Sequence, residues 1–187
     1  MTPHPHVPMT YYSDVVDRRD AATMMRGLVG VLTWESHDTN RRECFFLRKA
    51  VPYYYGGKRG KEIRPLFTQI EPPYLRRLWR KVEVATNCSF EACFINYYEN
   101  EKGNLGWHGD NSPSIDQTRP VCILSLGSPR ILLFRPCINH DKVYPVITEP
   151  GSVIEMHAGI QTTWDHHMPP MLGTHGPRMS LVFRGLV

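Results

Sequence analysis

Beyond residue 90 the chain carries no helical period. FEACFINYY, PVCILSL, RILLFRP, KVYPVI, SVIEM and RMSLVFR are short runs of β-branched, aromatic and aliphatic residues, parted by clusters of Gly, Pro, Asn and Asp. Helical signals are confined to the first half. Six strand-like runs following helices predict a double-sheet β fold with helices packed on one side. The sequence has no internal repeat.

In the first half, Ser13 is placed to cap a helix whose apolar positions Val15, Val16, Met24, Met25, Leu28, Val29 and Leu32 follow a broken 3.6-residue period, weakened by Gly27 and Gly30. A second helix is predicted from the Pro72-Pro73 pair to about Thr86, with Tyr74, Leu75, Leu78, Trp79 and Val82 on one face. Residues 1–12, rich in Pro and His and without period, read as a flexible tail. His4 and His6 are therefore poor ligand candidates, and residues 13–187 read as a single domain.

Charge is unevenly spread. Residues 41–81 carry twelve Lys and Arg against three acids, a local +9, while the rest of the chain has ten against fifteen, or −5. Tyr53, Tyr54, Tyr55 and Phe67 are interleaved with those charges. A basic segment with aromatic rings suits phosphates and stacked bases, although Arg76, Arg77, Arg80 and Lys81 equally suit the solvated face of a helix.

Five cysteines, Cys44, Cys88, Cys93, Cys122 and Cys137, are odd in number and form no C-x-x-C pair, which argues against a disulfide framework or a zinc ribbon. No stretch reaches the ~18–20 apolar residues of a membrane span, and the N-terminus lacks the pattern of a secretory leader. A cytoplasmic or nuclear location, no membrane partner and a monomeric state are expected.

Candidate chemistry gathers in the β half. His108 and Asp110 form an H-x-D pair, and either His166 or His167 supplies a distant histidine. Two histidines and one carboxylate occupy one face of an iron ion and leave the other open. In the last run Met179, Leu181 and Phe183 share one face, and Arg178, Ser180, Val182 and Arg184 the other. If the arginine face lines the mouth of the barrel, both guanidiniums need anionic partners. Asn96 and Tyr98 share a strand face by the same alternation.

These residues carry a family resemblance. N-x-Y, H-x-D, SLGSPR followed by LLFR, GSVIEMHAGIQTTWDHHMPP, and R-x-x-x-x-x-R ending in FR resemble, in that order, the AlkB family of Fe(II)- and 2-oxoglutarate-dependent dioxygenases of nucleic-acid alkylation repair. The match covers roughly residues 90–185, with a weaker echo in FLRKAVPYYYGG. It implies an α+β fold: a double-stranded β-helix, or jelly-roll, core over residues 90–187, N-terminal helices packed on one side, and a basic nucleotide-recognition lid over residues 41–71. It implies Fe(II) on His108, Asp110 and His166, the W-x-H-x-x-P pattern selecting His166 over His167. It also implies 2-oxoglutarate on Asn96, Tyr98, Arg178 and Arg184, with O₂ as the second cosubstrate. Arg48, Tyr53, Tyr54 and Asn111 are the candidates for substrate. Asn111-Ser112 stands where the family often has acidic residues, and Ser180 where repair members often have asparagine.

The implied reaction is oxidative demethylation of N1-methyladenine and N3-methylcytosine in DNA or RNA, giving succinate, CO₂ and formaldehyde. Two alternatives are the same cofactor chemistry hydroxylating another base or a protein side chain, and a non-catalytic nucleic-acid-binding module.

Overall fold

The computed structural model describes residues 1–37, 39–49, 53–57, 60–64 and 71–187, with backbone alone at 37, 54–57 and 60–64. Its strands are β1 (Thr2–Pro3), β2 (Met9–Tyr12), β3 (Glu35–His37), β4 (Arg41–Leu47), β5 (Tyr53–Gly57), β6 (Gly60–Arg64), β7 (Ala92–Tyr98), β8 (Leu105–His108), β9 (Val121–Gly127), β10 (Arg130–Pro136), β11 (Tyr144–Thr148), β12 (Val153–Met156), β13 (Trp164–Met168) and β14 (Arg178–Arg184). Helix α1 (Arg18–Val31) lies between β2 and β3, and α2 (Pro73–Thr86) between β6 and β7. One sheet runs β1-β2-β12-β9-β14-β7-β4-β3, a second runs β11-β10-β13-β8, and β5-β6 form a separate hairpin. The pairings between these strands are all antiparallel.

Strand β14 organises the molecule. It lies between β7 and β9 and is buried along its whole length. Its alternation divides two cores. Met179, Leu181 and Phe183 pack with Leu28, Leu75, Leu78 and Trp79 of the helices. Val182, on the other face, joins Phe94, Ile123, Leu132 and Phe134 between the sheets. Trp79 meets Phe183 edge-on with ring centroids 5.3 Å apart, so α2 is seated directly on this strand.

Helix α2 begins at Pro73, where a missing N–H costs nothing, and ends at Asn87 in the left-handed conformation, φ 53°. Helix α1 starts later than Ser13. Asp17 is its cap, its carboxylate accepting from the Arg19 N–H at 2.8 Å, because the preceding segment is turned at Asp14, φ 56°, and tied by Val16 N–H to the Gly151 carbonyl. Gly27 is needed inside α1: a Cβ there would stand 2.4 Å from the Tyr74 ring of α2.

Residues 1–12 are not a loose tail. Strand β2 pairs with β12 from Met9↔Met156 to Tyr12↔Val153, and β1 pairs with β2. Val7 and Met9 are buried, and His4 Nδ1 accepts from the N–H groups of His6 and Val7, which turns the chain between the strands. An apolar face this short is invisible to a periodicity search, yet it covers the edge of β12. Among the described residues no helix is long and apolar enough to cross a membrane.

Candidate active site

The two sheets enclose a cavity of about 290 Å³. Strands β8 and β13 pair along one wall with His108 opposite His166, and their rings stand 4.2 Å apart between centroids. Asp110 follows β8 on a loop that crosses the segment before β13. Only glycine fits at Gly109, since a Cβ would stand 2.6 Å from the Gln161 carbonyl oxygen. That close approach lets Gln161 Oε1 accept the Asp110 N–H at 2.9 Å, while Gln117 Nε2 donates to the Asp110 carbonyl at 3.0 Å. Both ends of the Asp110 peptide are therefore clamped.

Ligand atoms of His108, Asp110 and His166 all lie within 4.8 Å of one another. His108 Nδ1 stands 2.7 Å from the Gly106 carbonyl, which can only accept. Nδ1 is therefore the donor in this contact, and Nε2 is the nitrogen that can serve as a ligand. His166 is buried, and burial with His108 and Arg184 nearby pushes its pKa down to about 3 against the pull of Asp110, so its imidazole is neutral at physiological pH. Burial raises the Asp110 carboxyl, but Arg184, His166 and His108 outweigh it and hold the group below the usual carboxylate range. Arg184 Nη2 donates to Asp110 Oδ1, whereas the buried Oδ2 has no hydrogen-bond partner. Two imidazoles and an orphaned anionic oxygen form a donor set that fits a divalent metal, Fe(II) included.

Beside this cluster, β7 contributes Phe94, Asn96 and Tyr98, and β14 contributes Arg178, Ser180, Val182 and Arg184. Three guanidiniums border the cavity, and their partners differ. Arg184 is paired with Asp110 at 2.6 Å, and Arg41, from β4, with Glu43 at 2.8 Å. Arg178 has no carboxylate partner among the described residues: Nη2 donates to Ser125 Oγ at 3.1 Å, Nη1 meets Met168 Sδ at 3.3 Å, and Nε has no partner. Burial lowers its pKa to about 10, which still leaves it cationic. An uncompensated buried cation is a slot for an anion.

A family model described as the 2OG-Fe(II) oxygenase superfamily matches residues 8–184. The chain belongs to this superfamily. Membership brings Fe(II), 2-oxoglutarate and O₂ as cofactor and cosubstrates, in keeping with the histidine–aspartate–histidine cluster. Among its relatives the chain is 27% identical to human alpha-ketoglutarate-dependent dioxygenase alkB homolog 3 over 188 residues, covering 92% of this chain and 64% of the relative. It is also 27% identical to human DNA oxidative demethylase ALKBH2 over 122 residues, 62% of this chain and 47% of that protein. The oxygenase thus spans less than two thirds of the length of these curated relatives. A solved structure described as "The structure of OsALKBH1" superposes with a TM-score of 0.67 at 18% identity, covering 97% of this chain and 99% of that one, and places the double-sheet architecture in the jelly-roll fold.

The structure gathers most of the candidate residues at one cavity. His108, Asp110, His166, Asn96, Tyr98, Arg178, Arg184, Tyr53 and Asn111 all line it. Tyr53 is buried and its hydroxyl accepts from Arg184 Nη1 at 3.0 Å. Tyr54 pairs with Ile63 through its backbone, and its side chain lies outside the described residues. Arg48 is not part of the lining. Its guanidinium forms a two-pronged pair with Glu71, at 2.7 and 3.2 Å, lies 3.6 Å from Glu83 and covers the Trp79 ring at 3.8 Å. It thereby ties together the two ends of segment 49–70.

Arg41, Glu43, Gln117, Gln161 and Ser125 were absent from the sequence reading. Arg41 and Glu43 had a usable signal, the alternation of RRECFFL, hidden in a segment read for its net charge. The two glutamines carried none, because a clamp on a loop peptide leaves no periodic trace.

Proposed function

We propose that this oxygenase removes methyl groups from ring nitrogens of nucleic-acid bases, N1-methyladenine and N3-methylcytosine in DNA or RNA. Each turnover hydroxylates the methyl carbon, which leaves as formaldehyde, while 2-oxoglutarate and O₂ become succinate and CO₂. The observation that carries the reading is the pairing of charge around the cavity. Arg41 and Arg184 are neutralised by Glu43 and Asp110, whereas Arg178, with no carboxylate partner among the described residues, offers a slot for an anion beside the N,N,O donor set. The relative named DNA oxidative demethylase supports the nucleic-acid substrate class.

His108 Nε2, Asp110 Oδ2 and His166 would hold Fe(II). The chemistry the bound metal supplies is activation of O₂ against 2-oxoglutarate, one oxygen atom entering succinate and the other the methyl group. Arg178 takes the carboxylate of the cosubstrate far from the metal, with Tyr98 against it. Asn96 offers its amide nearer the metal. Arg184 keeps one oxygen of Asp110 occupied, so the carboxylate binds through the other. Phe94, Ile123, Leu132 and Val182 line the inner cavity and keep water from it. Tyr53, Trp107 and Asn111 border the same space and meet the base, which has to leave its stack to reach the site. The excess of Lys and Arg between residues 41 and 81 suits the phosphates of a nucleic acid.

The test is anaerobic loading with Fe(II) and 2-oxoglutarate, then oxygen and an oligonucleotide carrying N1-methyladenine or N3-methylcytosine, with succinate and formaldehyde followed together. Both products are expected, and neither in His108→Ala. Succinate without formaldehyde would sink the demethylase reading and leave hydroxylation of another substrate.

A further inference from the structure

The Arg41–Glu43 pair has no part in the reaction as described above, yet it stands in the wall of the same cavity. The two residues sit two apart on β4 and share a face, 7% and 1% exposed. The register sets them against the cosubstrate candidates: Arg41 lies opposite Tyr98, and Glu43 opposite Asn96. Arg41 Nη1 donates both to Glu43 Oε2, at 2.8 Å, and to Asn96 Oδ1.

A guanidinium has donors and no acceptor. Whichever atom of Asn96 faces Arg41 has to be the amide oxygen, because the reversed amide would set N–H against N–H. The side-chain amide is planar, so holding Oδ1 on Arg41 places Nδ2 on the opposite branch. Nδ2 has no acceptor among the described residues, and Asn96 borders the cavity. Bonding of the oxygen to a cation also polarises the amide and strengthens the donor on its far side. Glu43 balances the charge of Arg41, so this cation does not compete with Arg178 for an incoming carboxylate.

We infer that Arg41, anchored by Glu43, is a positioning residue that locks the Asn96 amide with its NH₂ group toward a carboxylate of 2-oxoglutarate. This rests on the cosubstrate reading given above. Without the lock, the amide samples a reversed orientation whose oxygen repels a carboxylate, and binding is reduced by the fraction of competent molecules and by the lost polarisation.

A double-mutant cycle separates this role from direct contact and from folding. The readout is 2-oxoglutarate affinity by calorimetry in the Mn(II)-loaded full chain, where no turnover occurs. Arg41→Met leaves Glu43 buried without its cation, so Arg41→Met/Glu43→Gln, which removes both charges, is carried alongside with thermal unfolding as the check on folding. Either variant is expected to weaken binding roughly three- to tenfold, with Arg41→Lys intermediate. In an Asn96→Ala background the same changes are expected to shift affinity by less than about twofold. In ¹⁵N spectra of the protein without cosubstrate, the Asn96 side-chain amide signal is expected to move in Arg41→Met. An equal loss in both backgrounds, or no loss in either, would overturn the lock while leaving the cosubstrate reading intact. Failure of the wild-type protein to bind 2-oxoglutarate would overturn both.

Discussion

Arg184 Nη2 donates to Asp110 Oδ1 at 2.6 Å, with both side chains buried. The contact joins the last strand of the large sheet to the loop that follows β8, so a residue of one sheet orients a ligand candidate carried by the other. With one oxygen engaged, the free Oδ2 defines the direction in which the carboxylate meets a metal. Arg184→Met strands a buried carboxylate. In metal-free protein the expected cost is about 3–5 kcal/mol in chemical denaturation. Saturating Mn(II), which supplies positive charge at the same carboxylate, is expected to restore more stability to the variant than it adds to wild type. Equal increments in the two proteins would break the argument.

The pH dependence of the metal-free fold follows from His166. Its native pKa of about 3 lies far below the ordinary histidine value, so between roughly pH 6.5 and 3 the unfolded chain binds a proton there that the native state refuses. Stability therefore falls as pH is lowered through that window, by up to one proton of slope. Asp110, held below its usual range, adds a loss of the same sign only at the acid end, where the unfolded carboxyl takes up a proton that the native one still refuses. Unfolding midpoints measured from pH 7 to pH 4 are expected to decline less steeply in His166→Asn than in wild type. Parallel curves would contradict the assignment.

Arg178 sets function against stability. Its guanidinium is buried with a hydroxyl, a thioether and, at 5.6 Å, the Tyr98 ring for company and no carboxylate among the described residues. Arg178→Met is expected to raise the stability of the metal-free protein by about 1–2 kcal/mol, because a desolvated unpaired cation is exchanged for apolar contact. The same change is expected to weaken 2-oxoglutarate about 10- to 100-fold, since a charge-assisted pair to a carboxylate is lost. Paired measurements of unfolding and cosubstrate affinity check both halves, and a destabilised Arg178→Met with unchanged affinity would refute them.

Sequence reading reached the fold through alternation. The six runs from residue 90 onward fall on β7, β9, β10, β11, β12 and β14, and the period-2 pattern of RMSLVFR separates the residues of the helix–sheet core from those lining the cavity. Strands β8 and β13, which bear His108 and His166, escaped it. In LGWH the position sharing a face with His108 is Gly106, and in WDHHM His166 interrupts Trp164 and Met168, so a site residue breaks the apolar alternation in strands too short to restore it. Motif spacing located those residues where pattern could not. The partnership of Arg41 with Asn96 spans 55 positions and depends on register between β4 and β7, which composition does not encode. Residues 1–12 read otherwise for a related reason: two buried apolar side chains in a Pro-rich stretch are too few for a period, and the strand that carries Met9 pairs with one more than 140 residues away.

Arg48 separates two accounts of the basic segment. Read from sequence, it is a hand on the nucleic acid; in the structure its guanidinium is occupied by Glu71, Glu83 and the Trp79 ring. Its side chain retains about a third of its exposure, so the ion pairs are partly screened and their loss in Arg48→Met is expected to cost only about 0.5–1.5 kcal/mol. A phosphate contact would show elsewhere. Each cation that neutralises a phosphate of a single strand adds about 0.7 to the slope of log affinity against log salt. Binding of a single-stranded oligonucleotide, titrated across salt concentrations, is therefore expected to keep the wild-type slope in Arg48→Met, with affinity within about twofold at each concentration. A slope reduced by about 0.7 would return Arg48 to the nucleic-acid surface and show that its pairing with Glu71 opens on binding.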